Sequence, residues 1–294
     1  MTGGAGFAGR QLVELLRARG DQVAAPPHAK LELLDADAVR GAVRQARPAA
    51  VFHLAALASV PASWEQPRRT LAENLETTLN VLEAVRLEAP EAAVLVAGSG
   101  EVYGRPERLP VDESAPLKPR NPYAVSKAAC DLLGGQYADV HGLRVARTRA
   151  FNQAGPGQSE EYVVGTLARQ VAEAEAGGGG EALIRLGNLD SARDFTDVRD
   201  AARAQLAAAE LEPGAYNICS GRSVTVRELV ELLARSARVE LRIELEEGRL
   251  RGDDVPEVRG SAELLRERSG WRPEIPLERT LADALEWWRE RLGE

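Results

Sequence analysis

Through the first half of the chain, short apolar runs alternate with stretches whose apolar residues recur every three or four positions. The runs at residues 22–25, 49–54, 92–97 and 143–147 predict strands. The stretches at 11–19, 37–45 and 71–88 carry the helical period. Strand and helix in alternation predict βαβ units, hence an α/β fold with a doubly wound parallel sheet. Beyond Phe151 the alternation breaks down. Residues 177–180 are four glycines that predict a surface loop, and 244–254 is a charged, glycine-containing stretch expected to cover a site or stay mobile. Trp271, Pro273 and Pro276 precede a helical pattern over 277–292, in which Trp287 and Trp288 read as packing and surface residues. No internal repeat is present.

Composition narrows the function classes. The 294 residues suffice for about two structural units. With 37 Lys and Arg against 45 Asp and Glu, the net charge of −8 argues against a nucleic-acid partner, so an anionic ligand has to meet local arginines. No run of 18 apolar residues and no signal-peptide pattern is present, which predicts a cytoplasmic protein with no membrane partner. Cys130 and Cys219 are isolated and read as small core residues, so no metal site is expected.

Residues 2–9 read TGGAGFAG, with Gly3, Gly6 and Gly9 at three-residue spacing ahead of a helical stretch. Such a loop turns sharply, admits a pyrophosphate to main-chain N–H groups and presents a helix N-terminus to the phosphates, which predicts a dinucleotide site. A strand of about five residues ordinarily leads into this loop, and only Met1 precedes Thr2. The first strand is therefore expected to be missing from this chain, with the natural start lying upstream. Residues 1–152 and 194–220 are expected to form the NAD(P)-binding domain, and 153–193 with 221–294 the smaller lobe for substrate.

Tyr123 and Lys127 in YAVSK are four apart, which puts both on one helix face, where the ammonium is expected to lower the phenol's pKa. Ser99 sits at the end of a predicted strand. Together with HLAA at 53–56 and Asn74, these motifs resemble the extended short-chain dehydrogenases/reductases of the nucleotide-sugar-modifying epimerase/dehydratase group, over residues 2–291. The resemblance implies catalysis by Ser99, Tyr123 and Lys127, and often a homodimer. It places cofactor against Gly3, Gly6, Phe7, Ala8, Gly9, Glu32, Leu33, Leu54, Ala55, Ala56, Tyr123 and Lys127. Because the second predicted strand ends in Ala25, Pro26 and Pro27 without an acid for a ribose hydroxyl, and His28 and Lys30 follow, NADP(H) is favoured over NAD(H). His53 is expected either to flank the cofactor or to be structural.

RAFNQAGPGQ at 149–158 and GNLDSARDFTDVRD at 187–200 resemble GDP-4-keto-6-deoxy-D-mannose reductases more than the related dehydratases. That implies Glu101, Asn152, Arg193 and Arg251 on the substrate, the arginines because guanidinium forks match phosphate oxygens. Gly252 replaces the proline usual after the second arginine. In GSGEVYG (98–104), Gly100 fills the position where a dehydratase carries an acidic or hydroxyl side chain, and a reductase needs no such group. The expected activity is NAD(P)H-dependent reduction of a GDP-linked 4-keto-6-deoxyhexose to GDP-D-rhamnose or its C4 epimer. The alternatives are GDP-mannose 4,6-dehydration, C4 epimerisation and a non-catalytic nucleotide sensor.

Overall fold

The computed structural model describes residues 1–178, 180–246 and 255–293. Helix α1 (Phe7–Ala18) leaves the glycine loop and is followed by α2 (Ala36–Ala46), β1 (Ala50–His53), α3 (Val60–Glu65), α4 (Pro67–Glu88), β2 (Ala93–Ser99), α5 (Pro122–His141) and β3 (Arg144–Ala150). After these come β4 (Asn152–Ala154), α6 (Val163–Ala176), β5 (Glu181–Leu186), β6 (Ala192–Asp197), α7 (Val198–Ala209) and β7 (Gly214–Ile218). The chain continues through β8 (Ser223–Thr225), α8 (Val226–Ala234), β9 (Glu240–Leu245), β10 (Glu257–Val258), α9 (Glu263–Ser269) and α10 (Leu277–Gly293).

The main sheet is parallel in the order β1–β2–β3–β7. β1 and β2 are largely apolar on both faces, as a parallel sheet covered by helices on each side requires, whereas β3 also carries Arg147, Thr148 and Arg149. Val51, Val94 and Val145 stand side by side and meet Val39 and Val43 of α2 and Val81 and Val85 of α4. Phe52, Leu95 and Ala146 face the other way, onto Leu12 and Leu16 of α1 and Ala201 and Ala204 of α7. The strands expected at 49–54, 92–97 and 143–147 are all present. Both cysteines are buried and free.

Residues 22–25 do not form the expected strand. They carry no regular secondary structure, and a groove separates them from β1. At the head of that groove Thr2 makes one parallel bridge to His53: its N–H donates to Phe52 O at 2.9 Å, and Leu54 N–H donates to Thr2 O at 3.3 Å.

A second set of strands, β10–β6–β4 with β8 antiparallel to β6, lies beyond the main sheet, beside the two-stranded β5–β9 pair. Their core gathers Leu167 and Val171 of α6, Ile184 of β5, Leu229 and Leu233 of α8 and Leu281 and Leu285 of α10, with Trp288 packed against it. Among the described residues no helix is long and apolar enough to cross a membrane.

Candidate active site

The glycine loop packs tightly onto the segment that follows β1. Gly3 has φ +71°, and a Cβ there would stand 2.6 Å from Ala55 N. A Cβ on Gly9 would stand 2.0 Å from Gly3 O, so α1 reaches the loop only through glycine. Gly6 caps α1 without a side-chain hydrogen bond, and the first turn carries no acid. Its N–H groups are therefore open to an anion. A cavity of about 190 Å³ opens here, bounded by Gly3, Gly6, Pro27, His28, Leu33 and Ala55 among others. Its glycine floor, helix N-terminus and apolar side wall fit the pyrophosphate and base of a dinucleotide. The Glu32 carboxylate is turned away: it accepts from Leu34 N–H at 2.9 Å and lies 3.7 Å from His28.

Ser99 ends β2 and Tyr123 lies in the first turn of α5, so the sheet edge and the helix start bring the two hydroxyls near enough for Ser99 to act on the phenol. Asn121 caps α5, accepting from Ala124 N–H at 2.7 Å, and Pro122 fixes the first turn. The Asn121 amide also donates to Glu101 at 3.1 Å, tying the exposed Glu101 carboxylate beside the pair. Burial pushes the Tyr123 phenol up, against the Ser99 hydrogen bond, and the Glu101 charge raises it further. Lys127 shares that helix face as expected, but its ammonium donates to Ala97 O at 2.6 Å. Burial lowers the Lys127 pKa. In this structure the phenol is thus a neutral proton donor.

A buried polar lattice holds these parts. The Asn74 side chain accepts from Leu57 N–H at 2.8 Å and donates to Leu57 O at 3.1 Å and Ser126 Oγ at 2.9 Å, joining the loop after β1 to α5. His53 lies outside the cofactor cavity, between Thr2 Oγ1 at 2.8 Å and Thr78 Oγ1 at 3.1 Å. Thr78 gives its proton to Asn74 O, so it accepts from His53 Nε2–H, and Nδ1 accepts from Thr2. Arg149, which opens the segment expected to carry substrate, is itself buried. It binds Asp131 at 2.8 and 3.0 Å and Tyr103 OH at 3.0 Å, and Tyr103 donates to Asn217 at 2.7 Å.

On the substrate side, Asn152 is exposed and its amide donates to Asp194 O at 3.2 Å. The Arg193 guanidinium donates to Ala192 O at 2.9 Å and to Val255 O at 2.7 Å. Arg251 and Gly252 lie outside the described residues. Sequence reading missed Tyr162, the residue before α6, whose phenol is close enough for its charge to act on Tyr123. No motif marks it. It also missed that Gly100 faces the Phe151 ring, three atoms of which would lie 3.1–3.2 Å from a Cβ at that position.

A family model described as GDP-mannose 4,6 dehydratase matches residues 26–284. The chain is 40% identical over 300 residues to the GDP-6-deoxy-D-mannose reductase of Pseudomonas aeruginosa, covering all of this chain and 98% of that one. It is 27% identical to the GDP-mannose 4,6-dehydratase of Yersinia enterocolitica, over 86% of this chain and 76% of the relative. The solved structure of RMD from Pseudomonas aeruginosa complexed with NADPH superposes with a TM-score of 0.90 at 38% identity, covering 98% of this chain and 97% of that one.

Proposed function

The chain belongs to the GDP-mannose 4,6-dehydratase family of extended short-chain dehydrogenases/reductases, and from that premise we propose that it is a reductase of the C4 keto group of GDP-4-keto-6-deoxy-D-mannose. The observation that carries this reading is the buried Ser99–Tyr123 pair beside Gly100: a proton donor with a hydrogen-bonding partner, and no acid at the adjacent position.

The glycine loop, the N-terminus of α1, His28, Leu33 and Ala55 hold the nicotinamide dinucleotide. When bound, that cofactor supplies the hydride for the keto carbon. Ser99 donates a hydrogen bond to the carbonyl oxygen and fixes it beside Tyr123. The Tyr123 phenol then passes its proton to that oxygen as negative charge develops there. The buried Lys127 ammonium, anchored on Ala97 O, places a positive charge on the same helix face and stabilises the phenolate left behind. NADP(H) is favoured because among the described residues no carboxylate lines the cofactor cavity while His28 does, and NAD(H) is the alternative.

Asn152, Glu101 and Arg193 face the sugar nucleotide, with Arg251 as the further guanidinium for its phosphates. Residues 1–152 with 194–220 serve the cofactor, and 153–193 with 221–294 the substrate. Exposed Leu71, Leu75 and Leu79 on α4 and Val125, Leu132 and Val140 on α5 form an apolar surface that supports a homodimer. The setting is the cytoplasm. Product analysis tests the reading: GDP-D-rhamnose, or its C4 epimer, has to form from the 4-keto sugar.

A further inference from the structure

One buried ion pair joins the two segments that carry Ser99 and Tyr123. Asp131 lies in α5, about two turns beyond Tyr123, and holds the Arg149 fork of β3 at 2.8 and 3.0 Å. Arg147 adds a longer contact to the same carboxylate at 3.4 Å. The remaining nitrogen of Arg149 donates to Tyr103 OH at 3.0 Å and to Glu113 O at 3.2 Å, and the guanidinium carbon lies 5.3 Å from the centre of the Tyr103 ring. Tyr103 ends the turn Gly100–Tyr103, which starts immediately after Ser99 and carries Glu101. A planar guanidinium can grip a carboxylate and reach a phenol at the same time, so Arg149 ties α5 to the turn behind Ser99.

The chain of bonds continues into the sheet and is closed to solvent. Asp131, Arg149, Tyr103 and Asn217 are all buried. Burial pushes the Tyr103 phenol up to about 12, so it stays a neutral donor to Asn217 Oδ1 at 2.7 Å. Asn217 of β7 donates its amide to Val111 O at 3.0 Å and Ser261 O at 3.1 Å, and its backbone N–H to Glu113 Oε1 at 2.7 Å. A buried ion pair adds little net stability over apolar side chains of similar volume, but its geometric demands make it a device for fixing position. With its bonds made, such a network is rigid. What it can fix here is the Ser99 turn. The Ser99 hydroxyl accepts from Glu101 N–H at 3.2 Å inside that turn, so a shift of Tyr103 is passed to the hydroxyl beside Tyr123.

We propose that Tyr103 and Arg149 are positioning residues: the clamp Asp131–Arg149–Tyr103 holds the Ser99 hydroxyl at its working place against the Tyr123 phenol. The role rests on the reductase reading for its substrate, whereas the Ser99–Tyr123 geometry it sets exists in the protein alone.

The test uses the full chain with Tyr103→Phe, Ser99→Ala and the double variant. Arg149→Lys is a second break in the clamp, one that keeps a positive charge opposite Asp131. Steady-state reduction of GDP-4-keto-6-deoxy-D-mannose gives kcat and KM, NADPH titration gives cofactor affinity, and NMR of isotope-labelled tyrosine Cζ reads the Tyr123 phenol with no substrate present. Expected for Tyr103→Phe is a kcat loss of about 10- to 100-fold, with KM and NADPH affinity within about twofold. In the Ser99→Ala background the same change costs less than about twofold, because the path through Ser99 is already cut. The Tyr123 resonance moves in Ser99→Ala and moves in the same sense in Tyr103→Phe, and Arg149→Lys repeats both effects. Equal kcat losses in the parent and Ser99→Ala backgrounds overturn the proposal, as does a Tyr123 resonance that keeps its parent position in the clamp variants. A parent protein that leaves the keto sugar untouched removes the reductase reading, and the Tyr123 resonance then decides the clamp alone. If one clamp variant does not fold, the other decides. Loss of folding in both overturns the proposal, since the clamp then serves stability.

Discussion

Gly100 and Phe151 compete for one space: a Cβ on Gly100 would sit 3.1–3.2 Å from three atoms of the Phe151 ring, closer than ordinary packing allows. Gly260 also lies against the ring, and a Cβ there would stand 2.6 Å from it. A side chain at the position beside Ser99, such as the acidic or hydroxyl group a dehydration step requires, therefore fits only if the Phe151 ring shifts by a few tenths of an ångström.

Gly100→Asp is expected to cost about 1–3 kcal/mol of stability and to confer no dehydration of GDP-mannose. Adding Phe151→Leu relieves the overlap and recovers part of that loss. Denaturant titration of the single and double variants measures both effects, and a single variant as stable as the parent contradicts the packing argument.

Tyr123→Phe removes the proton donor and keeps the ring. Turnover falls by about 10² to 10⁴, while NADPH affinity stays within a few-fold, since the ring still fills its place at the start of α5. Ser99→Ala costs about 10² to 10³ in kcat through the lost hydrogen bond to the substrate oxygen. Stopped-flow single turnovers with parallel cofactor titrations separate these effects from binding.

At the glycine loop, Gly9→Ala drives a methyl group into Gly3 O, which is backbone and has no room to yield. The loop must open, and NADPH binding is expected to weaken by at least tenfold. Fluorescence titration of NADPH checks this, and unchanged affinity would show that the loop is not the phosphate cradle.

His53 makes stability depend on pH. Burial first, then the Lys127 ammonium and the N-terminus, hold its imidazole down at about 3 in the folded protein, against 6.5 ordinarily. Between those values the unfolded chain binds a proton that the native one refuses. Stability is therefore full above pH 6.5 and falls as pH drops towards 3, by at most about 1.4 kcal/mol per pH unit from this group. His53→Gln is less stable at neutral pH because the Thr2–His53–Thr78 chain is broken, but its stability declines less steeply between pH 6 and 4. An unaltered slope would place the titration elsewhere.

The residues proposed to react stand out in the sequence because their signals are local. A four-residue spacing sets Tyr123 and Lys127 on one face, and an apolar run ending in Ser99 sets the hydroxyl at a strand mouth. Strands β1, β2 and β3 were legible as apolar runs between helical periods. What escaped the sequence depends on pairing across the fold. Residues 22–25 have strand-like composition, yet a strand exists only with a partner, and here a groove takes the partner's place. The bond from Lys127 to Ala97 O follows from how α5 lies across β2, which no spacing encodes. Arg149 opens the 149–158 segment, and only the fold shows Asp131 and Tyr103 enclosing it. The Gly100–Phe151 overlap joins two segments far apart in the chain, and only the closed fold brings them together.

The most direct test of the central claim is NADPH consumption on addition of GDP-4-keto-6-deoxy-D-mannose, followed by NMR of the sugar nucleotide formed. The reductase reading predicts one NADPH oxidised per keto group reduced, with a new C4 alcohol whose configuration names the product. Conversion of GDP-mannose to the 4-keto sugar without net NADPH consumption, by a preparation that leaves the keto sugar untouched, would contradict it.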